Sequence, residues 1–174
     1  MAICDINKGR SKACKKSIGG VQKLYLFNYL EDSFTIAGGL ATAMNVGLTE
    51  SFEYDLTGDG QVLLESKAGD RSAGTSVNTQ TITAILQGLD ADTSTELNAV
   101  TKAYPIAVVK TKDGVYKVVG ITEGIDFSVE ATTGTTQTEF SGYTITGVSI
   151  EGDLAPTLDA ATETAFLATV AVNV

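Results

Sequence analysis

Histidine and tryptophan are absent from this 174-residue chain, and cysteine and proline occur only twice each. Without an imidazole there is no histidine general base. Ser–His and Cys–His dyads, HExxH sites and Cys2His2 zinc sites are therefore excluded. Two cysteines cannot build a four-cysteine metal site or a disulfide framework. No secretory leader is read in the first 20 residues, which are charged throughout and lack an apolar stretch before a small-residue cleavage site. No run approaches the ~20 apolar residues of a membrane-spanning helix. These absences predict a chain made in a cytoplasm and not partnered with a membrane. Cys4 and Cys14 are expected to be reduced there, with a Cys4–Cys14 bridge that anchors the first residues as the alternative.

What is present suits one globular domain. Apolar residues make up 43% of the chain, enough for a single core. The 12 basic and 21 acidic residues leave a net charge of −9, divided unevenly. Residues 1–23 hold Lys8, Arg10, Lys12, Lys15, Lys16 and Lys23 against Asp5 alone, a balance of +5, and the remainder carries −14. The sequence thus divides into a basic arm, residues 1–22, and a β-rich domain, residues 23–174. Lys8, Arg10, Lys12, Lys15 and Lys16 are expected to dock on the acidic surface of a neighbouring copy; the alternative is a frayed, solvated terminus. Nucleic-acid binding by the arm is disfavoured, because no aromatic residue interleaves its cations before Tyr25 and the acidic body would repel phosphates.

Along the chain, 24 threonines and 18 glycines separate short runs of Val, Ile, Tyr and Phe, a β-like composition. Strands are expected at 23–29, 33–37, 50–56 and 61–67. The alternation of Phe52, Tyr54 and Leu56 with Glu53 and Asp55 marks a half-buried strand. Thr57-Gly58-Asp59-Gly60 reads as a tight turn, making residues 50–67 a β-hairpin. A polar stretch over 68–74 leads to an alternating run from Thr75 to Leu86. One helix is predicted over about 92–104, capped by Asp90 or Asp92, spaced by Leu97, Val100 and Tyr104 and stopped by Pro105. Residues 106–121 form the clearest hairpin, turning at Asp113-Gly114. Strands at 124–130 and 142–150 follow. Residues 165–172 read as a last strand, although the alanine-rich 160–171 stretch could equally be helical. The sum is a mainly β fold, an antiparallel β-sandwich or barrel with one flanking α-helix and an extended N-terminal arm.

Candidate chemical sites fall away one by one. Asp55, Thr57, Asp59 and Gly60 imitate the start of a calcium loop, but position 12 is Ser66 where a bidentate glutamate belongs, and the flanks are strands. Lys16-Ser17 lacks the glycines of a phosphate loop, having Arg10 and Lys15 in their places. The carboxylate pairs Glu50/Glu53 and Glu151/Asp153 are expected to be solvated surface. No catalytic residue, metal site or cofactor is expected.

The second half carries an ordered series: Thr79–Thr83, Leu89-Asp90, a short helix, Ala107–Thr111, Asp113-Gly114 and Tyr116–Gly120. Gly124, Thr133-Gly134, Ser141–Thr146 and Glu151–Pro156 follow. Over roughly residues 18–158 the series resembles tail tube proteins of bacteriophages of Bacteroidota hosts. The resemblance implies a β-sandwich or barrel flanked by a helix, in hexameric rings stacked into a hollow tube through which the genome leaves the virion. It implies no catalytic residue. Partners would be further copies of the chain and other tail proteins, with DNA passing transiently, and assembly would take place in the bacterial host's cytoplasm. The matching segments would be the 50–67 hairpin, the 68–74 connection and the arm; an acidic lumen would repel DNA. A capsid decoration, a head–tail connector or a secretion-tube-like component is the competing structural reading. A polysaccharide-binding sandwich and a carboxylate hydrolase are weaker ones.

Overall fold

A computed structural model describes residues 9–11, 15, 17–56 and 58–170. Among these, eleven strands and two helices form a mainly β, sandwich-like fold. One sheet has seven strands in the order β2 (Phe34–Ala37), β3 (Leu40–Met44), β11 (Thr157–Leu158), β8 (Tyr116–Val119), β7 (Ile106–Thr111), β1 (Val21–Phe27), β4 (Phe52–Asp55). The other has four, in the order β5 (Val62–Asp70), β6 (Thr75–Gln87), β10 (Gly142–Glu151), β9 (Asp126–Thr132). All pairings between these strands are antiparallel except β11 with β3. The two sheets do not close into a barrel.

The apolar runs explain the layering. In β1, Leu24 and Leu26 point into a core shared with the four-stranded sheet, where they meet Ile82, Ala84, Phe127, Tyr143 and Ile145. Tyr25 and Phe27 point the other way, into a second core with Ile106, Val108, Tyr116, Val118 and Phe166. The central strands of the seven-stranded sheet are buried on both faces and so read as continuous apolar runs rather than alternating ones. Gly147 of β10 makes room for the side chain of its cross-strand neighbour on β9: a Cβ there would stand 2.5 Å from Phe127 Cε1 and 2.8 Å from Ile125 Cγ2.

The expected 50–67 hairpin does not form. β4 pairs with β1 in one sheet, Leu24 opposite Tyr54, while β5 pairs with β6 in the other, Leu63 opposite Ile82. The Gly58–Gly60 segment carries the chain from one sheet to the other. A glycine-rich turn reverses direction equally well within a sheet and between sheets, and local sequence does not distinguish the two. The long hairpin is instead β5–β6, turned by residues 71–74, where Asp70 accepts from Ser72 and Ala73. On β6, Asn78, Gln80, Ile82 and Ala84 face inward, leaving Val77, Thr79, Thr81, Thr83 and Ile85 outward.

Helix α1 spans Ala91–Val100 and ends short of the expected 104, with Asp90 as its N-cap. A second helix, α2 (Ala160–Leu167), occupies much of the last segment, so of the two readings of the alanine-rich stretch the helical one holds there. Its Phe166 enters the second core, with ring centroids 4.9 Å from Tyr25 in an edge-to-face arrangement and 5.7 Å from Tyr116. β3 and β11 have no counterpart in the sequence expectation. The two-residue β11 is too short to show a period, and β3 is alanine- and threonine-rich with only Ala41 buried. Among the described residues no helix is long and apolar enough to cross a membrane.

Candidate functional site

Of the five arm cations, Arg10 and Lys15 are described and both are exposed. Lys8, Lys12 and Lys16 lie outside the described residues, as do Cys4, Cys14 and Thr57. The arm's root is tied down. Ile18 N–H donates to Asp113 Oδ1 at 2.7 Å, and Lys112 N–H donates to the Gly20 carbonyl at 3.0 Å. Both contacts fall at the β7–β8 turn, beside the start of β1.

The carboxylate pairs do not act as pairs. Glu53 holds the Lys23 ammonium at 2.6 Å, and this hydrogen bond raises the lysine's pKa. Asp153 takes Lys67 at 2.7 Å, while Glu151 accepts from the backbone and hydroxyl of Thr122. Among the described residues no group of three or more Cys, Asp or Glu side chains is arranged to hold a metal ion.

The most organised polar group was not legible in the sequence. Glu65 points inward from β5, only 11% exposed, and pairs with Lys117 of β8. Its second oxygen accepts from Ala155 N–H at 2.7 Å and from the buried Asn78 amide at 3.4 Å. The same amide donates to the Asp153 carbonyl at 2.9 Å. Nearby, Gln80 Oε1 accepts from Gly120 N–H. These contacts staple the two sheets and the 151–156 loop where the interior turns polar, an assembly of structure rather than of reacting groups.

The four-stranded sheet has one exposed face. Its outward positions run Val62, Leu64, Ser66 and Ala68 on β5, Val77 to Ile85 at alternate residues on β6, and Thr144, Thr146, Val148 and Ile150 on β10. The register sets Leu64 opposite Thr81 and Thr81 opposite Val148. Leu64 and Ile150 are 60% and 59% exposed. On a chain of net charge −9, these three strands carry no outward charge apart from Asp70 at the hairpin tip; Asp126 and Glu130 stand at the β9 margin. β5 and β9 are its outermost strands, and the β5–β6 hairpin runs three register positions past the last pair with β10. At ~3.4 Å per residue that overhang is about 10 Å.

A second feature is a groove along β4, the terminal strand of the seven-stranded sheet, where it faces α1. Leu26, Phe27, Phe52, Val100, Ala103 and Pro105 form its apolar part. Tyr54 joins it to an acidic cleft lined by Glu53, Asp55 and Asp90. Burial raises the Tyr54 pKa, and the neighbouring Glu96 carboxylate adds to the rise. Set against known proteins, the chain matches no family model, no curated protein and no solved structure.

Proposed function

We propose that the chain is a self-assembling structural subunit that forms rings by edge-to-edge pairing of its four-stranded sheet, and that the rings stack as a phage tail tube. One observation carries this reading. The sheet has an even number of strands, antiparallel throughout, with a nine-residue β5 at one edge and a seven-residue β9 at the other. When β9 of one copy lies beside β5 of the next, the antiparallel alternation continues across the join. A heterologous contact of this kind makes a ring when its rotation closes. Uncovered edges of this length, without proline, are templates for further strands.

The same geometry selects the wall of such a ring. The inward face of the sheet is covered by the seven-stranded sheet, and in this proposal the open face, mostly threonine and aliphatic with Asp126 and Glu130 on β9, looks toward the axis. On that face Asp126 and Glu130 of β9 would stand at each join between copies and Asp70 at the hairpin tip, so such a lumen would set acidic groups among uncharged ones. Such a wall offers DNA phosphates no cation to bind. The overhanging β5–β6 hairpin takes the place first assigned to residues 50–67, reaching toward an adjacent ring. The resemblance to tail tube proteins supports stacking and six-fold symmetry, and the proposal includes no catalytic step.

Size-exclusion chromatography with light scattering and negative-stain microscopy test it together. Rings or tubes are expected. A strict monomer over a wide concentration range overturns the proposal, and closed rings that never stack would turn it toward a connector.

A further inference from the structure

We infer that the groove between β4 and α1 receives the N-terminal arm, residues 1–17, of a second copy of this chain. The inference deepens the stacking part of the proposed function, since it names what joins one ring to the next. Chemistry, polarity and size each favour that occupant.

The groove is apolar in its floor and acidic at its rim. Phe52 is 41% exposed on a terminal strand, beside Leu26, Phe27 and Val100. Glu50, Glu53 and Asp55 lie on and beside β4, and Asp90, Asp92 and Glu96 lie on α1 or at its cap. The cations nearby are Lys23, already on Glu53, and Lys102 just beyond α1. The arm is complementary in both respects. It opens with Met1-Ala2-Ile3 and continues with Lys8, Arg10, Lys12, Lys15 and Lys16. The apolar depression, about 90 Å³, is far below the ~300–1,000 Å³ of a small-molecule site. It suits one or two aliphatic side chains.

Polarity points to a different copy rather than to the arm's own body. The arm leaves the domain beside Val21, which pairs with Thr111, and is held there by Asp113 and Lys112. The apolar end of the groove lies at Phe27 and Pro105, next to the Phe27–Ile106 pair at the other end of β1. Seven residues of strand separate the two by ~20 Å. The acidic end of the groove, where Asp55 stands opposite Lys23, is nearer the arm's root. The arm, however, is led off toward the β7–β8 turn on one side of β1 while β4 and the groove lie on the other, an arrangement that suits the arm of another copy.

The only cysteines, Cys4 and Cys14, are both in the arm, and they supply the probe. The acceptor carries one tag with Cys4→Ser, Cys14→Ser and Ala99→Cys, Ala99 being an exposed groove residue. The donor is the full chain with a different tag. Under mild oxidation a donor–acceptor disulfide is expected, mapped by mass spectrometry to Cys4 or Cys14. It should fall several-fold in 1 M salt, where the Debye length is ~3 Å. A control acceptor bearing Thr136→Cys in place of Ala99→Cys should cross-link far less. No disulfide, an equal yield at the control site, or a yield indifferent to salt overturns the inference. Microscopy of the same samples separates the two proposals: rings without the cross-link remove only the docking, and the cross-link without rings removes only the ring.

Discussion

Glu65 sits on the inward side of an edge strand and yet joins three segments: β8 through Lys117, the 151–156 loop through Ala155 N–H, and β6 through Asn78. Removing it strands a backbone donor and an ammonium in a largely buried setting, at about 1–3 kcal/mol for each unsatisfied group. Glu65→Ala is expected to lower stability by about 2–3 kcal/mol in urea denaturation. Glu65→Ala combined with Lys117→Met should cost less than the two single changes added, by about 1 kcal/mol, because both singles break the same pair. A strictly additive cycle would show that the pair contributes nothing. Asp90 gives a second residue-scale expectation. Hydrogen bonds from Thr93, through its hydroxyl and then its backbone N–H, hold the Asp90 carboxyl below the usual carboxylate value. The cap therefore binds its proton less readily folded than unfolded. Its stabilisation is present above the unfolded value and is lost as pH falls through the folded one. Asn at position 90 keeps an acceptor but does not titrate. The stability gap between the wild type and Asp90→Asn should accordingly narrow between neutral pH and pH ~2.

Helix α2 has a single fully buried aromatic anchor, Phe166, among Tyr25, Phe27 and Tyr116. Phe166→Ala empties the centre of the second core and is expected to cost about 3–5 kcal/mol. Differential scanning calorimetry should show the loss as a lower Tm. A change of under 1 kcal/mol would mean that α2 is not packed as described. The seven-stranded sheet depends on such a cover because both its faces are apolar. The four-stranded sheet has the opposite character, with one face in the core and the other populated by threonine, so its outer face can stand in water.

Charge is organised on the scale of the whole molecule. Residues 1–23 carry +5 and the remaining residues −14 within one chain, and the root of the arm is fixed at the β7–β8 turn. Deleting residues 1–16 leaves Ile18, Gly20 and every strand in place. The truncated chain should therefore unfold within ~0.5 kcal/mol of the full one in urea, while losing the ability to stack in negative stain. Stacks of normal length from the truncated chain would refute a docking arm. Tube growth by the full chain should also weaken with added salt, since exposed opposite charges are screened beyond ~10 Å at 0.1 M.

Composition and period alone determined the β class, a helix capped at Asp90 or Asp92 though not its end at Val100, the hairpin turned at Asp113-Gly114 and the approximate length of β6. Each depends on contacts between residues near in sequence: an aspartate cap, an Asp-Gly turn, an unbroken alternation. The polarity of the arm was equally plain, because charge is countable without a fold. Tertiary structure decided which strands share a sheet. It separated Asp55 from Val62 into different layers, turned the threonine face of β6 outward, and buried Phe166 from a helix rather than from a strand. The Glu65 staple and the β4–α1 groove also waited on the fold. Their members come from positions as far apart as 65 and 155, or 26 and 103, and only the packing of the two sheets brings them together.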